Sequence, residues 1–250
     1  MKMRNLTAAV ASACVLAACT PGMNAAVESL QKAVQRDPGA SRARLNPKFS
    51  YLRVTIDGRL AFLALGNVDR TVEGAAEVWY SASREVVRLQ DGRVVGATGL
   101  KTEWRNVSVA DAPSWLAAAN AGMPLSWVRV RDVMPGYRYG VRDELVLRVI
   151  PAPARSNLFR VDPQSLVWFE ERIEPEARGG RLASLLPGAT AEKPLPPARY
   201  AVDLRGGKEI VVYGEQCIAP DICFSWQRWS AGQQNEALKG EGSAQCQWEP

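Results

Sequence analysis

Apolar and polar residues alternate with a period of two over most of the chain after residue 48. Residues 51–56 and 59–65 are two such runs, separated by Asp57-Gly58, a pair typical of two-residue hairpin turns. The second run is apolar on both faces, which predicts a central strand. Residues 86–96 repeat the hairpin signature around Asp91-Gly92. The pattern therefore predicts antiparallel hairpins that follow one another along the chain.

Extended stretches of the same kind continue towards the C-terminus. We predict them at residues 77–81, 102–109, 126–131, 145–150, 158–161, 165–173, 200–204, 209–213 and 224–229. Residues 112–120 predict a short helix, because Pro113 stands where a helix tolerates proline. Strands spaced in this way, with turn residues between them, predict a mainly β fold, either a sandwich or an open barrel.

The first twenty residues follow a different pattern. Lys2 and Arg4 precede an uncharged, mostly apolar run at residues 6–18, which is too short to span a bilayer. The run ends in Leu16-Ala17-Ala18-Cys19, which resembles the lipobox of bacterial lipoproteins. We therefore predict a cleaved signal peptide at residues 1–18 and a diacylglycerol and acyl (palmitate-type) lipid on Cys19. The alternative is an ordinary secretory peptide.

The predicted mature chain has two parts. Residues 19–48 form a tether with a short helix, which Asn24 caps and residues 37–39 end. Residues 49–250 form a single β-domain, with a Pro-rich excursion at 174–199 and a Cys-containing C-terminal segment. Thr20 follows the lipobox where an Asp would favour inner-membrane retention, so we expect outer-membrane anchoring on the periplasmic face.

Charge and cysteine content narrow the function classes. Removing the signal leaves a net charge of +3, which is too mild to indicate nucleic-acid binding. Cys217 and Cys223 bracket a Pro-Asp turn and are the favoured disulfide; a Cys223–Cys246 bridge is the alternative. Three thiols without histidine make a poor metal set, so we expect no metal and no cofactor beyond the lipid.

Candidate catalytic groups are few. The absence of histidine excludes Ser-His-Asp and Cys-His catalysis. Glycan cleavage needs only two carboxylates, and Glu103 beside Trp104 and Glu170-Glu171 beside an aromatic pair are the candidates. Neighbouring residues on a strand face opposite ways, so we expect Trp104 inside, Glu103 outside, and no catalytic residues.

Sugar binding without catalysis has its own candidate row. Trp127, Arg129 and Arg131 alternate onto one face of a predicted strand, which places an aromatic ring and two guanidiniums in line. Such a row suits an acidic polysaccharide, since aromatic faces stack on sugars and Arg pairs with uronate or phosphate. The alternative is a solvated face with no ligand. Trp79 and Trp104 are expected in the core.

Three stretches together resemble a known family. They are the hairpin at residues 51–65, Trp79-Tyr80-Ser81 followed by residues 91–100 (DGRVVGATGL), and Phe159-Arg160-Val161-Asp162 before the Pro-rich segment. With the lipobox, they resemble the YjbF/GfcB lipoproteins, associated with group 4 capsule and exopolysaccharide production, over roughly residues 49–197. The resemblance implies a sandwich of two half-barrel-like antiparallel sheets with few helices, and a role in polysaccharide export at the outer membrane.

Three classes of function stay open at this point. The first is a non-enzymatic accessory of capsule or exopolysaccharide export, bound to the export machinery or to acidic polymer. The second is a polysaccharide-modifying enzyme that uses Glu or Asp. The third is a carrier of lipid or lipoprotein in the cavity of a half-barrel.

Overall fold

The computed structural model describes residue 40 and residues 43–174 and 194–244. The predicted signal peptide, Cys19, the tether helix, most of the Pro-rich excursion and Cys246 lie outside these residues. Within them, no helix is long and apolar enough to cross a bilayer.

Twelve strands and two helices make up the described chain. They are β1 (Tyr51–Ile56), β2 (Arg59–Thr71), β3 (Gly74–Tyr80), β4 (Val86–Gln90), β5 (Arg93–Thr98), β6 (Glu103–Ser108), α1 (Trp115–Asn120), β7 (Leu125–Met134), β8 (Arg138–Ile150), β9 (Val167–Ile173), β10 (Ala198–Asp203), β11 (Ile210–Ala219), β12 (Ile222–Trp229) and α2 (Ala231–Ala244).

The strands form one closed barrel in which each pairs with its neighbours along the chain. Closure is made by β1, which pairs antiparallel with β2 on one side and with β12 on the other over its whole length. The prediction of a two-sheet sandwich of half-barrels is therefore wrong, although the mainly β, antiparallel prediction is confirmed. The physical reason is the β1–β12 pairing, which leaves no free sheet edge.

Both predicted hairpin turns are present. Asp57 and Gly58 have φ of 48° and 74°, and Asp91 and Gly92 have φ of 49° and 79°. Positive φ at both central residues is the conformation that matches the twist of paired strands, and Asp-Gly adopts it readily.

Of the two extended segments predicted at 158–161 and 165–173, only the second contains a strand. The later run contains β9, but residues 151–166, here called the strap, run over the outer face of the barrel. The Gln227 side chain forms hydrogen bonds with both backbone polar groups of Phe159. The Phe159 N–H donates to Gln227 Oε1 at 2.8 Å, and the Phe159 carbonyl accepts from Gln227 Nε2 at 3.0 Å. Strand pairing is therefore not needed there.

One end of the barrel is closed by α1. Ser114 caps this helix by accepting a hydrogen bond from the Ala117 N–H. Trp115 inserts against Phe169 and Tyr200, with ring centroids 5.1 and 4.9 Å away. Trp79 and Trp104 are buried in the core cluster, as predicted.

Candidate functional site

The row predicted to bind glycan points into the barrel. Trp127, Arg129 and Arg131 each expose 5% of their surface, so they do not form an accessible surface track. The other face of β7 is partly exposed and carries Val128 and Val130. The predicted alternation is therefore correct, but it is the charged face that lies inside.

Burial of two guanidiniums is made possible by Asp143. This residue lies opposite Arg129 on β8, and its Oδ2 accepts from Arg129 Nε and Nη2 at 2.9 and 2.8 Å. It also accepts from Arg131 Nε at 2.6 Å and from Arg131 Nη2 at 3.0 Å. Both guanidiniums lie over the Trp104 ring, 4.5 and 4.9 Å from its centroid.

The electrostatics of Asp143 follow from these contacts. Burial by itself raises the pKa of the Asp143 carboxyl, but the hydrogen bonds and charges of Arg131 and Arg129 outweigh it and hold that pKa below its ordinary value. The group is therefore a carboxylate at neutral pH, and it anchors both arginines.

A second buried ion pair joins Arg93 to Glu171. Arg93 Nε donates to Glu171 Oε1 at 2.7 Å, and its guanidinium lies 3.9 Å from the Trp115 ring centroid. With Asp143 and its partners, the described interior thus holds three arginines and two carboxylates. Sequence reasoning missed this pairing, since neighbouring acids at 170 and 171 do not reveal which of them points inward.

The barrel interior near this pair is nearly filled. Gln216 Oε1 accepts from the Tyr200 hydroxyl at 2.9 Å and from the Val94 N–H at 3.3 Å. A cavity of about 10 Å³ lies among Arg129, Glu171 and Gln216. That volume suits a single water and is far below what an acyl chain occupies.

The candidate catalytic carboxylates do not converge on one space. Glu171 points inward to Arg93, whereas Glu170 points outward to Arg148. Glu103 bonds Arg105 on the outside, while Trp104 is inside and donates to the Ile218 carbonyl. Glu170 and Glu171 therefore do not flank a common space, as two carboxylates must in glycoside cleavage. No group of three potential metal ligands occurs within residues 43–174 and 194–244.

The predicted disulfide is present. Cys217 on β11 and Cys223 on β12 are directly opposed, with Cα atoms 3.9 Å apart, and form the bridge. The alternative Cys223–Cys246 bridge is therefore wrong.

Beside the disulfide, the strap borders an open groove of about 540 Å³ on the outer face of β10, β11, β12 and β1. Asn157 holds the strap in place, because its N–H donates to the Tyr213 hydroxyl at 2.9 Å and its Nδ2 donates to Ser225 Oγ at 3.0 Å. The groove is lined mainly by polar and charged residues, which include Thr55, Asp57, Arg155, Asn157, Arg199, Glu215 and Ser225.

An arginine cluster, defined here as Arg148, Arg172 and Arg199, continues from this groove across β8 to β10. The three surround Glu170, with N–O distances of 2.7, 3.1 and 3.8 Å. Their side chains are 48%, 54% and 39% exposed, whereas that of Glu170 is 8% exposed. The arginine side chains are therefore partly exposed to solvent, whereas the carboxylate that they share is buried.

Glu170 is kept ionised by its neighbours. Its partial burial raises the pKa of the carboxyl, but the hydrogen bonds and charges of Arg148 and Arg172 more than compensate and hold that pKa below its ordinary value. Arg199 also lies 3.8 Å from Glu215, so the three arginines face two carboxylates and keep a net positive charge next to hydroxyl and amide groups. This combination can bind carboxylate or phosphate groups on a sugar polymer.

The barrel is all-antiparallel, and its outer face carries the open groove beside the arginine cluster. The family model for the group 4 capsule polysaccharide lipoprotein GfcB, YjbF matches residues 22–179, well over half of the chain. The chain therefore belongs to the YjbF family, and the resemblance drawn from the sequence is confirmed. No curated protein sequence matches it significantly.

Two solved lipoprotein structures are similar at low sequence identity. The hypothetical lipoprotein YmcC from Escherichia coli (K12) is 13% identical, with a TM-score of 0.49 over 84% of this chain and 97% of that one. The Mycobacterium tuberculosis lipoprotein LppX is 11% identical, with a TM-score of 0.20 over 83% of this chain and 95% of that one.

Proposed function

We propose that this chain is a non-enzymatic accessory of capsule or exopolysaccharide export, lipid-anchored at Cys19 to the outer membrane and facing the periplasm. In that place it binds acidic segments of the polymer through the groove and the arginine cluster. The family relation supports the process, and the lipobox with Thr20 supports the location.

The observation that carries the binding role is the exposure of the cluster. The side chains of Arg172 and Arg199 are 54% and 39% exposed, while Glu170 pairs with both and Glu215 also pairs with Arg199. Preorganised guanidiniums lose little conformational entropy on binding an anion, and their N–H forks match carboxylate and phosphate geometry. Such a surface favours weak, repeated contacts with uronate or phosphate units over recognition of one neutral sugar.

The test uses the mature chain with Cys19→Ser, titrated with the host's own purified polysaccharide and with the same polymer after its carboxyl groups have been reduced. We expect binding to the acidic polymer, weakened by salt. Arg172→Gln combined with Arg199→Gln is expected to reduce affinity at least tenfold, since each charge-assisted hydrogen bond contributes about 1.5–3 kcal/mol.

The matched control is Arg105→Gln, which removes a similarly exposed arginine that pairs with Glu103 on the same strand, β6, outside the groove and the arginine cluster. Equal affinity for the native and the carboxyl-reduced polymer would contradict the groove assignment. So would an equal loss of affinity in Arg105→Gln and in the double arginine variant. Shortening of the polymer during the titration would favour the enzyme class instead.

A cellular experiment tests the process and the anchor. A deletion strain is complemented with the wild type, with Cys19→Ala or with the double arginine variant, and secreted polymer is measured. We expect the wild type alone to restore secretion. Restoration by Cys19→Ala would contradict the anchored role, as would palmitate labelling that persists in that variant.

A further inference from the structure

A row of polar side chains crosses the outer face of the barrel in one register. Strand pairing places Arg199 of β10 directly opposite Glu170 of β9 on one side and Glu215 of β11 on the other. Glu215 in turn lies opposite Ser225 of β12. Directly opposed side chains on neighbouring strands lie close enough to interact, so Arg199 is flanked by a carboxylate on each side.

Both ion pairs of Arg199 are nevertheless long. Its Nε lies 3.8 Å from Glu170 Oε2, and its Nη1 lies 3.8 Å from Glu215 Oε2. These distances exceed the length of a hydrogen bond, whereas Arg148 donates to Glu170 at 2.7 Å. Arg199 also lines the groove, and its side chain is 39% exposed. Neither carboxylate therefore occupies the N–H groups that Arg199 can offer to a ligand in the groove.

The hydroxyl of Tyr213 explains why Glu215 stays away from Arg199. Tyr213 stands two residues before Glu215 on β11, so both side chains project from the outer face. The hydroxyl donates to Glu215 Oε1 at 2.5 Å. Burial raises the pKa of the Tyr213 phenol and the Glu215 carboxylate raises it further, so the hydroxyl keeps its proton at neutral pH. Glu215 is therefore held by Tyr213 rather than by Arg199.

The strap fixes the Tyr213 hydroxyl in turn. The backbone N–H of Asn157 donates to this hydroxyl at 2.9 Å. The Tyr213 ring is buried and packs against Trp168, with ring centroids 5.8 Å apart. A hydroxyl that accepts from a backbone N–H has its own proton free for another acceptor, which here is Glu215. A chain of contacts thus runs from the strap through Tyr213 and Glu215 to Arg199.

We propose that Arg199 binds the acidic group of the ligand, and that Tyr213 positions Glu215 so that Arg199 stays open to that group. This assignment rests on the proposed binding of acidic polymer in the groove. Tyr213 is a positioning residue, because it acts through Glu215 and does not touch the polymer. Without its hydroxyl, Glu215 turns to Arg199, forms a charge-assisted hydrogen bond with it and competes with the acidic sugar.

The test is a double-mutant cycle on the mature chain with Cys19→Ser, titrated with the host's native polysaccharide and with its carboxyl-reduced form. The variants are Tyr213→Phe, Glu215→Gln and the combination of both. We expect Tyr213→Phe to lower the affinity for the native polymer about fivefold, a coupling of the size found between residues in contact. In the Glu215→Gln background the same substitution should change the affinity less than about twofold, because a neutral side chain does not compete for Arg199.

The matched control is Tyr51→Phe. Tyr51 is a second buried tyrosine on the outer face, and its hydroxyl bonds the backbone of Asn46 outside the groove. We expect this substitution to leave the affinity unchanged. A crystal structure of Tyr213→Phe should show Glu215 within about 3 Å of an Arg199 nitrogen.

An equal loss of affinity on Tyr213→Phe in both backgrounds would overturn the proposal, because the loss would then come from a displaced strap. An affinity of Tyr213→Phe equal to that of the wild type would also overturn it, as would an unchanged distance between Arg199 and Glu215 in the variant. A wild type that binds the native and the reduced polymer equally would contradict the proposed function itself, and this assignment with it. That failure is recognised from the wild type alone, before any variant is compared.

Discussion

Asp143→Asn removes the carboxylate that compensates two buried guanidiniums. In the wild type, Asp143 accepts four hydrogen bonds at 2.6–3.0 Å, two each from Arg129 and Arg131. The substitution keeps the size of the side chain but removes its charge, so the described interior changes from three arginines and two carboxylates to three and one.

The expected loss of stability is large. Removing one partner of a buried ion pair costs about 3–5 kcal/mol, because the remaining charge stays desolvated. Two guanidiniums are affected here, so we expect the upper part of that range. Whole domains are stable by only about 5–15 kcal/mol. The urea midpoint should therefore fall by more than about 1 M.

The pH dependence gives a second readout. The pKa of Asp143 is lower in the folded chain than in the unfolded chain, where an ordinary Asp titrates at about 4. Its contribution is therefore present above about pH 4 and is lost as the pH falls through the folded value. The difference in unfolding free energy between wild type and Asp143→Asn should shrink on acidification through this range.

Equilibrium urea unfolding, followed by tryptophan fluorescence and far-UV circular dichroism, measures both effects. The control is Asp69→Asn, because Asp69 pairs with Arg88 at 2.8 Å but both side chains are about 40% exposed. We expect the control to cost at most about 1 kcal/mol. Equal midpoints for the two variants would refute the view that the interior network stabilises the barrel.

Two further predictions concern a turn and the disulfide. Gly92→Ala should destabilise the barrel more than Gly58→Ala. Both glycines have positive φ, which costs alanine about 1–2 kcal/mol. A Cβ at position 92 would also lie 2.5 Å from Val211 atoms, whereas nothing lies within 4 Å of a Cβ at position 58. Urea unfolding of the two variants compares them, and equal costs would contradict this packing. Cys217→Ser with Cys223→Ser should cost about 2 kcal/mol, as expected for a short closed loop; an unchanged midpoint under non-reducing conditions would contradict it.

The features that the sequence determined are local ones. The Asp57-Gly58 and Asp91-Gly92 turns follow from the backbone preferences of neighbouring residues, and both have the predicted positive φ values. The Cys217–Cys223 bridge spans one turn, so strand pairing brings the two residues together without help from distant parts of the chain. Family membership was likewise recognisable from short stretches near residues 51–65 and 91–100.

Tertiary structure alone decided the closure of the barrel and the direction of its charged faces. Strands β1 and β12 lie far apart in the chain, and no local pattern states that they pair. Alternation along β7 separates Trp127 and Arg129 from Val128 but is symmetric about the sheet, so it does not say which face is inside. That choice depends on Asp143, a carboxylate on the neighbouring strand, because charged side chains enter a barrel only where another strand supplies their counter-ions.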